Sequence, residues 1–259
     1  MATGLSVTRE GNIAELIIDQ PRKRNAISYD MWSAIPAIVA DVEADDSIKL
    51  LIVRGNGSHF SAGADISEFE ARRTLPADAH TYNAAVEQAA ATLSQLRKPS
   101  IAMIEGYCIG GGCELALACD LRFAADDARM GITPAKLGIV YSFPSTRQLV
   151  NLVGPSFAKY MLFSGAHLDA DEALRVGLVD QVFPAAELAK RTTEFAETTC
   201  SRSQVSVQGA KTIINKIAGG LVVADEEAAS LPIKAVESED YREGVRAFLE
   251  KRTPHFTAR

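Results

Sequence analysis

The chain opens on an alternating stretch. Over residues 7–19 apolar and polar side chains trade places on either side of Gly11-Asn12, the pattern of two short strands joined by a tight turn. Pro21-Arg22-Lys23-Arg24-Asn25 interrupts it with a basic loop. The period then lengthens. Ser28 stands as a helix cap, and Met31, Ile35, Ile38, Val39 and Val42 form one apolar stripe that predicts a helix, ended by Asp45-Asp46-Ser47. Residues 50–53 are an unbroken apolar run, read as a strand. Residues 68–77 carry no clear period. A helix is predicted over 78–96, stopped by Lys98-Pro99. Residues 101–104 and 121–125 read as strands, with a short helix over 113–119 between them. Consecutive helices are predicted over 144–153, 155–163 and 169–176, the second and third opening after Gly154 and Leu168. Helix-forming sequence dominates from Ala185 onward. From about Ser203 it is amphipathic, with Val205, Val207, Ile213, Ile214, Ile217, Val245, Phe248 and Leu249 as its apolar positions. Strand, strand, helix recurs without internal sequence similarity. The expected class is therefore α/β, with a core over residues 1–200 and a helical region over 201–259.

Composition narrows the partners. The 259 residues are 47% hydrophobic, enough for a large domain or a domain with an appendage. A net charge of -6 weighs against nucleic acid, whose affinity comes mainly from cationic contacts to phosphate, but leaves room for a local basic patch. Residues 1–10 hold no signal-peptide core, and no apolar run reaches the roughly 18 residues of a membrane span. A cytoplasmic protein is expected. Cys108, Cys113, Cys119 and Cys200 contain no CxxC pair, and three crowd one apolar segment. They read as reduced, buried thiols rather than zinc ligands. His59, His80, His167 and His255 share no metal-ligand spacing, so no metal site is expected.

Candidate chemistry lies in two glycine-bearing turns, each following a predicted strand. The first is His59-Phe60-Ser61-Ala62-Gly63-Ala64-Asp65-Ile66. The second is Gly106-Tyr107-Cys108-Ile109-Gly110-Gly111-Gly112-Cys113-Glu114. Such turns can leave backbone N–H groups unpaired and aimed outward. Two of them meeting at one point would hold the oxygen of a thioester as it becomes an enolate. The second turn lacks GxGxxG, so it is no dinucleotide fingerprint. The first is no nucleophile elbow, because His59 stands where GxSxG needs a glycine.

In this order and separation the two turns resemble the enoyl-CoA hydratase/isomerase family, the crotonase superfamily. The segment over residues 165–182, with Ala170-Asp171-Glu172-Ala173-Leu174, and the C-terminal Phe248-Leu249-Glu250-Lys251-Arg252-Thr253-Pro254 extend the similarity over nearly the whole chain. The resemblance implies a spiral of ββα units with a helical C-terminal region that drives homotrimers, often paired into hexamers. It implies an oxyanion hole made by the N–H groups of Ala64 and Gly111. The only cofactor implied is coenzyme A, arriving as part of an acyl-CoA substrate.

Family hydratases use two glutamates. The first falls on Glu114. The second falls on Pro134, which has no proton to give, and the extra acid of the dienoyl isomerases falls on Ser142. Thr133-Pro134 with Leu137-Gly138 and then Tyr141 is similar to the methylmalonyl-CoA decarboxylase branch, in which the tyrosine orients a substrate carboxylate. Ala64 departs from that branch, which carries histidine there, and agrees with the hydratases. The favoured reaction is therefore decarboxylation of a 2-carboxyacyl-CoA, with Glu114 and Tyr141 as catalytic residues. The alternative is an enoyl-CoA hydratase or isomerase with Glu114 as its only acidic catalytic residue. A family member that binds CoA thioesters or RNA without catalysis is the alternative from another class, and the acidic charge opposes RNA. A serine hydrolase of the related protease-like spiral is a further rival.

For coenzyme A the resemblance implies Arg22, Lys23 and Arg24 at the nucleotide end, Ala62, Asp65 and Ile66 along the first turn, and Lys251, with Arg252 beside it, from a partner subunit. Arginine and lysine suit phosphate by charge and geometry. Phe60, Ile66, Phe69 and Leu75 are candidates for the acyl channel, with core packing the expected role of Phe60 and Ile66. Residues 68–80 are expected to shape the acyl end.

Overall fold

The computed structural model describes residues 4–257. A six-stranded sheet forms its centre, in the order β1 (Leu5–Glu10), β2 (Ile13–Ile18), β3 (Leu50–Gly55), β4 (Ser100–Ile104), β6 (Leu121–Ala125), β9 (Gln181–Phe183). Only β1 and β2 pair antiparallel, and every later neighbour is parallel. Parallel strands need helical crossovers, which cover both faces of the sheet. That is why the strands read as continuous apolar runs. Leu51 and Val53 face a core shared with α1 (Tyr29–Ala44) and α3 (Pro76–Gln95). Leu50 and Ile52, one residue out of phase, face Leu188, Ala196 and Cys200 of α7 (Ala185–Cys200).

A second sheet stacks beside the first: β5 (Tyr107–Ile109), β7 (Arg129–Gly131) and β8 (Leu168–Asp169). These strands have two or three residues each, too few to show a period, and the sequence reading passed over them along with β9. The steps from β4 to β5 and from β6 to β7 carry the chain from one sheet to the other, which produces the ββα spiral.

The helices follow the apolar stripes closely. Ser28 caps α1 by accepting from the Met31 N–H. The helix expected at 78 starts two residues earlier, because Pro76 occupies its first turn, where a missing N–H costs nothing. The aperiodic residues before it form a 3₁₀ turn (Ile66–Glu68) and the four-residue α2 (Phe69–Arg72). α4 (Gly111–Leu117) sits two residues upstream of its expected span. The two helices expected around Gly154 form α5 (Phe143–Ser164), broken where Gly154 takes a non-helical φ of 73°. α6 (Ala170–Arg175) is capped by Asp169. The C-terminal region is helical throughout: α8 (Gln204–Ala218), α9 (Glu226–Glu237) and α10 (Glu239–Leu249). Lys211 of α8 fastens it to the core, donating to the Lys98 carbonyl and pairing with Asp120 at 2.7 Å. All four cysteines are free and buried; burial pushes the Cys119 thiol up to about 12 and Cys200 up to about 11. Among the described residues no helix is long and apolar enough to cross a membrane.

Candidate active site

The two glycine turns meet. Ser61 and Cys108 form a parallel bridge, with the Ser61 N–H donating to the Tyr107 carbonyl and the Ile109 N–H donating back to Ser61. This lays the first turn alongside β5. Gly63 takes φ +103°, and a Cβ there would come within 2.8 Å of the Ile109 carbonyl oxygen. Only glycine allows that approach. A Cβ on Gly111 would lie 3.4 Å from the Ala64 nitrogen. The Ala64 and Gly111 nitrogens are therefore separated by no more than about 6 Å, close enough for both to donate to one oxygen.

Neither amide is used. Ile27 takes the Gly63 carbonyl and accepts from Asp65, which leaves the Ala64 N–H between them unbonded. Gly111 is the first residue of α4, so its N–H has no partner within the helix. Among the described residues neither finds an acceptor. Both belong to the lining of a cavity of about 400 Å³ that also includes Ala62, Ile66, Glu114, Pro134 and Tyr141.

Glu114 is buried, one turn into α4. Burial holds its carboxyl above the ordinary glutamate range. Hydroxyls of Ser145 and Tyr141 pull the other way, and the nearby Glu87 carboxylate adds to the rise. The Ser145 hydroxyl donates to Oε1 and is itself 2.9 Å from the Ser142 hydroxyl, which caps α5. The Tyr141 hydroxyl is fully covered beside the carboxyl, yet completes no directed hydrogen bond. Burial and the Glu114 charge raise its pKa well above that of an ordinary phenol. Pro134, where a second acid was sought, opens a 3₁₀ turn along the cavity wall.

The remaining expected residues divide. Lys23 reaches Asp65 at 2.5 Å, and the Asp65 carboxylate also caps the Ser67 N–H, so this acid is occupied holding two turns together. Arg24 lies 5.3 Å from the centroid of the Tyr107 ring, and Arg22 is exposed. Lys251 is exposed beyond α10, away from the cavity lining, while Arg252 is gripped by Glu243 and Glu250. Phe60 is core, as expected. Ile66 is not: it is 55% exposed and lines the cavity, joined there by Phe69, while Leu75 is exposed elsewhere. Sequence reasoning missed Trp32, Tyr82 and Glu87, which helix packing brings to the cavity, and Ser145, which reaches Glu114 from α5; Arg73 lines the cavity from within the segment over 68–80 expected to shape the acyl end.

Two unbonded backbone amides beside a buried carboxyl, on a spiral of ββα units, are an arrangement of the crotonase type. The chain belongs to the enoyl-CoA hydratase/isomerase family, whose sequence model matches residues 8–259. It is 34% identical to a crotonyl-CoA hydratase from Syntrophomonas wolfei, over 97% of this chain and 96% of that one. It is also 34% identical to the 2,3-dehydroadipyl-CoA hydratase of Escherichia coli, over 98% and 99%. A crystal structure from Hyphomonas neptunium, described as of the enoyl-CoA hydratase/isomerase family, superposes with a TM-score of 0.96 at 39% identity, covering 100% of this chain and 99% of that one.

Proposed function

We propose that this enzyme adds water reversibly to a 2-enoyl-CoA, with Glu114 as the carboxyl that moves protons. The observation that carries the reading is the buried Glu114 carboxyl in one cavity with two unbonded amides. The thioester oxygen accepts from Ala64 and Gly111. A water oxygen bonds to C3 and gives one proton to ionised Glu114. Electrons move through C2 to the thioester oxygen, forming the enolate. Glu114 then returns that proton to C2, so the sum is one water added. A carboxyl lifted above its ordinary range suits both halves of this exchange. Relatives named as hydratases support this reading over the decarboxylation expected from Thr133-Pro134 and Tyr141.

Decarboxylation is the second reading, favoured by the Tyr141 hydroxyl beside Glu114 and by Pro134 in the cavity wall. Nucleotide-end contacts from Arg22, Lys23, Arg24 and a neighbour's Lys251 belong to the same proposal. So does assembly into trimers or hexamers, which would cover exposed Phe248 and Leu249. Incubation with crotonyl-CoA, a 3-enoyl-CoA and methylmalonyl-CoA, with product masses read, tests it. A mass gain of one water supports hydration; loss of carbon dioxide alone, or an isomer alone, refutes it.

A further inference from the structure

The same cavity has a polar end that hydration does not use. Trp32 of α1 is fully buried, and its ring edge lies against Gly111: a Cβ there would come within 3.0 Å of Cζ2. The indole nitrogen is two bonds from that atom. Beside it is the Tyr82 hydroxyl of α3, in a residue 2% exposed. Neither Trp32 Nε1 nor the Tyr82 hydroxyl makes a directed hydrogen bond to any described residue, though both residues line the cavity. Were the two to close on each other, the indole would donate to the phenol oxygen, and the phenol proton would still lack an acceptor.

Arg73 completes this end. Its guanidinium lies 5.1 Å from the centroid of the Tyr82 ring and 4.6 Å from that of Phe69, and it lines the cavity. Its one hydrogen bond is to the Asn83 side-chain oxygen, at 3.0 Å. Among the described residues no carboxylate lies within ion-pair distance of it, although the neighbouring Arg72 pairs with Asp30. Glu68, whose charge acts on Tyr82, spends an oxygen on the Tyr29 N–H. From the oxyanion hole outward the wall thus runs Gly111, Trp32, Tyr82, Arg73. It presents an indole N–H beside the Tyr82 oxygen, a phenol O–H with no acceptor, and a guanidinium fork whose one partner is the Asn83 side-chain oxygen.

The geometry points to an acyl chain that ends in a carboxylate: the substrate is a CoA thioester of a dicarboxylic acid, its free carboxylate held by Arg73 with help from Tyr82. This rests on the assignment of the cavity as an acyl-CoA site and deepens it. A planar fork with five donors matches a carboxylate in two parallel hydrogen bonds. A plain alkyl end would leave the Tyr82 proton unanswered and bring hydrocarbon against the guanidinium, which costs affinity. Glu87, also in the lining, acts on Glu114 and so marks the catalytic side of the cavity. Its charge disfavours a free carboxylate placed there.

The test needs no turnover. Binding of glutaryl-, adipyl- and pimeloyl-CoA is compared by calorimetry with pentanoyl-, hexanoyl- and heptanoyl-CoA, on the full chain and on Arg73→Gln, Arg73→Lys and Tyr82→Phe. Expected is at least one diacid that binds roughly 10- to 100-fold tighter than its alkyl counterpart, the range of a charge-assisted hydrogen bond. That ratio falls to near one in Arg73→Gln, is partly kept in Arg73→Lys, and drops a few-fold in Tyr82→Phe. Equal binding of the two series by the unaltered chain overturns the inference and leaves hydration of a simple enoyl-CoA standing. Equal weakening of both series by Arg73→Gln also overturns it, since the arginine would then serve the shared CoA portion. Tight diacid binding without hydratase turnover would overturn the proposed reaction and leave this inference intact.

Discussion

The hydroxyl of Ser145 donates to the Glu114 carboxyl, joining the start of α5 to the first turn of α4. Residue 145 is 31 positions downstream of the acid, and its place is set by Ser142, which caps α5 and touches the Ser145 hydroxyl at 2.9 Å. A carboxyl buried this deeply favours its neutral form. Ser145 is the group that donates to its ionised form, and therefore bears on when Glu114 can act as a base.

The pH dependence follows from that balance. Glu114 must be ionised to take a proton from water, so the rate rises with pH through its elevated pKa. The acid limb of kcat/KM is expected above the ordinary glutamate value of about 4.3. Ser145→Ala removes a stabiliser of the ionised form and moves that limb to higher pH. The stability sign is opposite: the elevated pKa stabilises the fold fully below the unfolded-state value, and this is lost as pH rises through the folded value. A pH–rate profile of both proteins decides it, and an unmoved limb would discard the role given to Ser145.

Glu114→Gln keeps the shape of the side chain and removes its exchangeable proton. Hydration of crotonyl-CoA is expected to fall by about 10²–10⁴-fold, the usual worth of a positioned acid or base. Any decarboxylation of methylmalonyl-CoA should fall far less, because carbon dioxide leaves without a base. Steady-state rates on both substrates separate the cases, and a variant that still hydrates at near the original rate would clear Glu114 of the chemistry.

Gly111→Pro deletes one oxyanion donor at a helix position where proline is tolerated. Turnover is expected to drop by roughly 10²–10³-fold. Since the added atoms also press on Trp32, circular dichroism is run alongside. Gly63→Ala reaches the same hole differently, forcing a side chain into a left-handed φ and against the Ile109 carbonyl. If either variant folds and keeps full activity, the oxyanion hole lies elsewhere.

Tyr82→Phe removes a buried hydroxyl that lacks a directed hydrogen bond. An unmet polar group of this kind costs about 1–3 kcal/mol, so the ligand-free variant should be more stable by a fraction of that range. Urea denaturation measures it. A loss of stability would mean that the hydroxyl has a partner in solution.

Legibility in the sequence tracked the kind of atom involved. The meeting of the two turns could be read because backbone donors at close approach demand glycine, and Gly63 and Gly111 stand next to each other in space. Glu114 followed because it lies three residues beyond Gly111 on the same short helix. Both faces of the central sheet were implied by the apolar run at residues 50–53. The donor-rich end was opaque for a physical reason. Trp32 sits within the apolar stripe of α1, Tyr82 within an unremarked stretch of α3, and Arg73 in the aperiodic segment before it. Nothing local to any of them signals the others; the crossing of α1 and α3 brings them together. Ile66 was expected in the core because an isoleucine carries no mark of the cavity it faces.

Lys23 and Asp65 give the molecule a mechanical link. The basic turn is fastened through that ion pair to the residue directly after Ala64, whose unbonded amide lines the cavity. The basic turn and the cavity wall are thereby tied by a side-chain contact next to that amide. Lys23 is half exposed and Asp65 nearly covered, so water reaches this link from the side of the lysine alone.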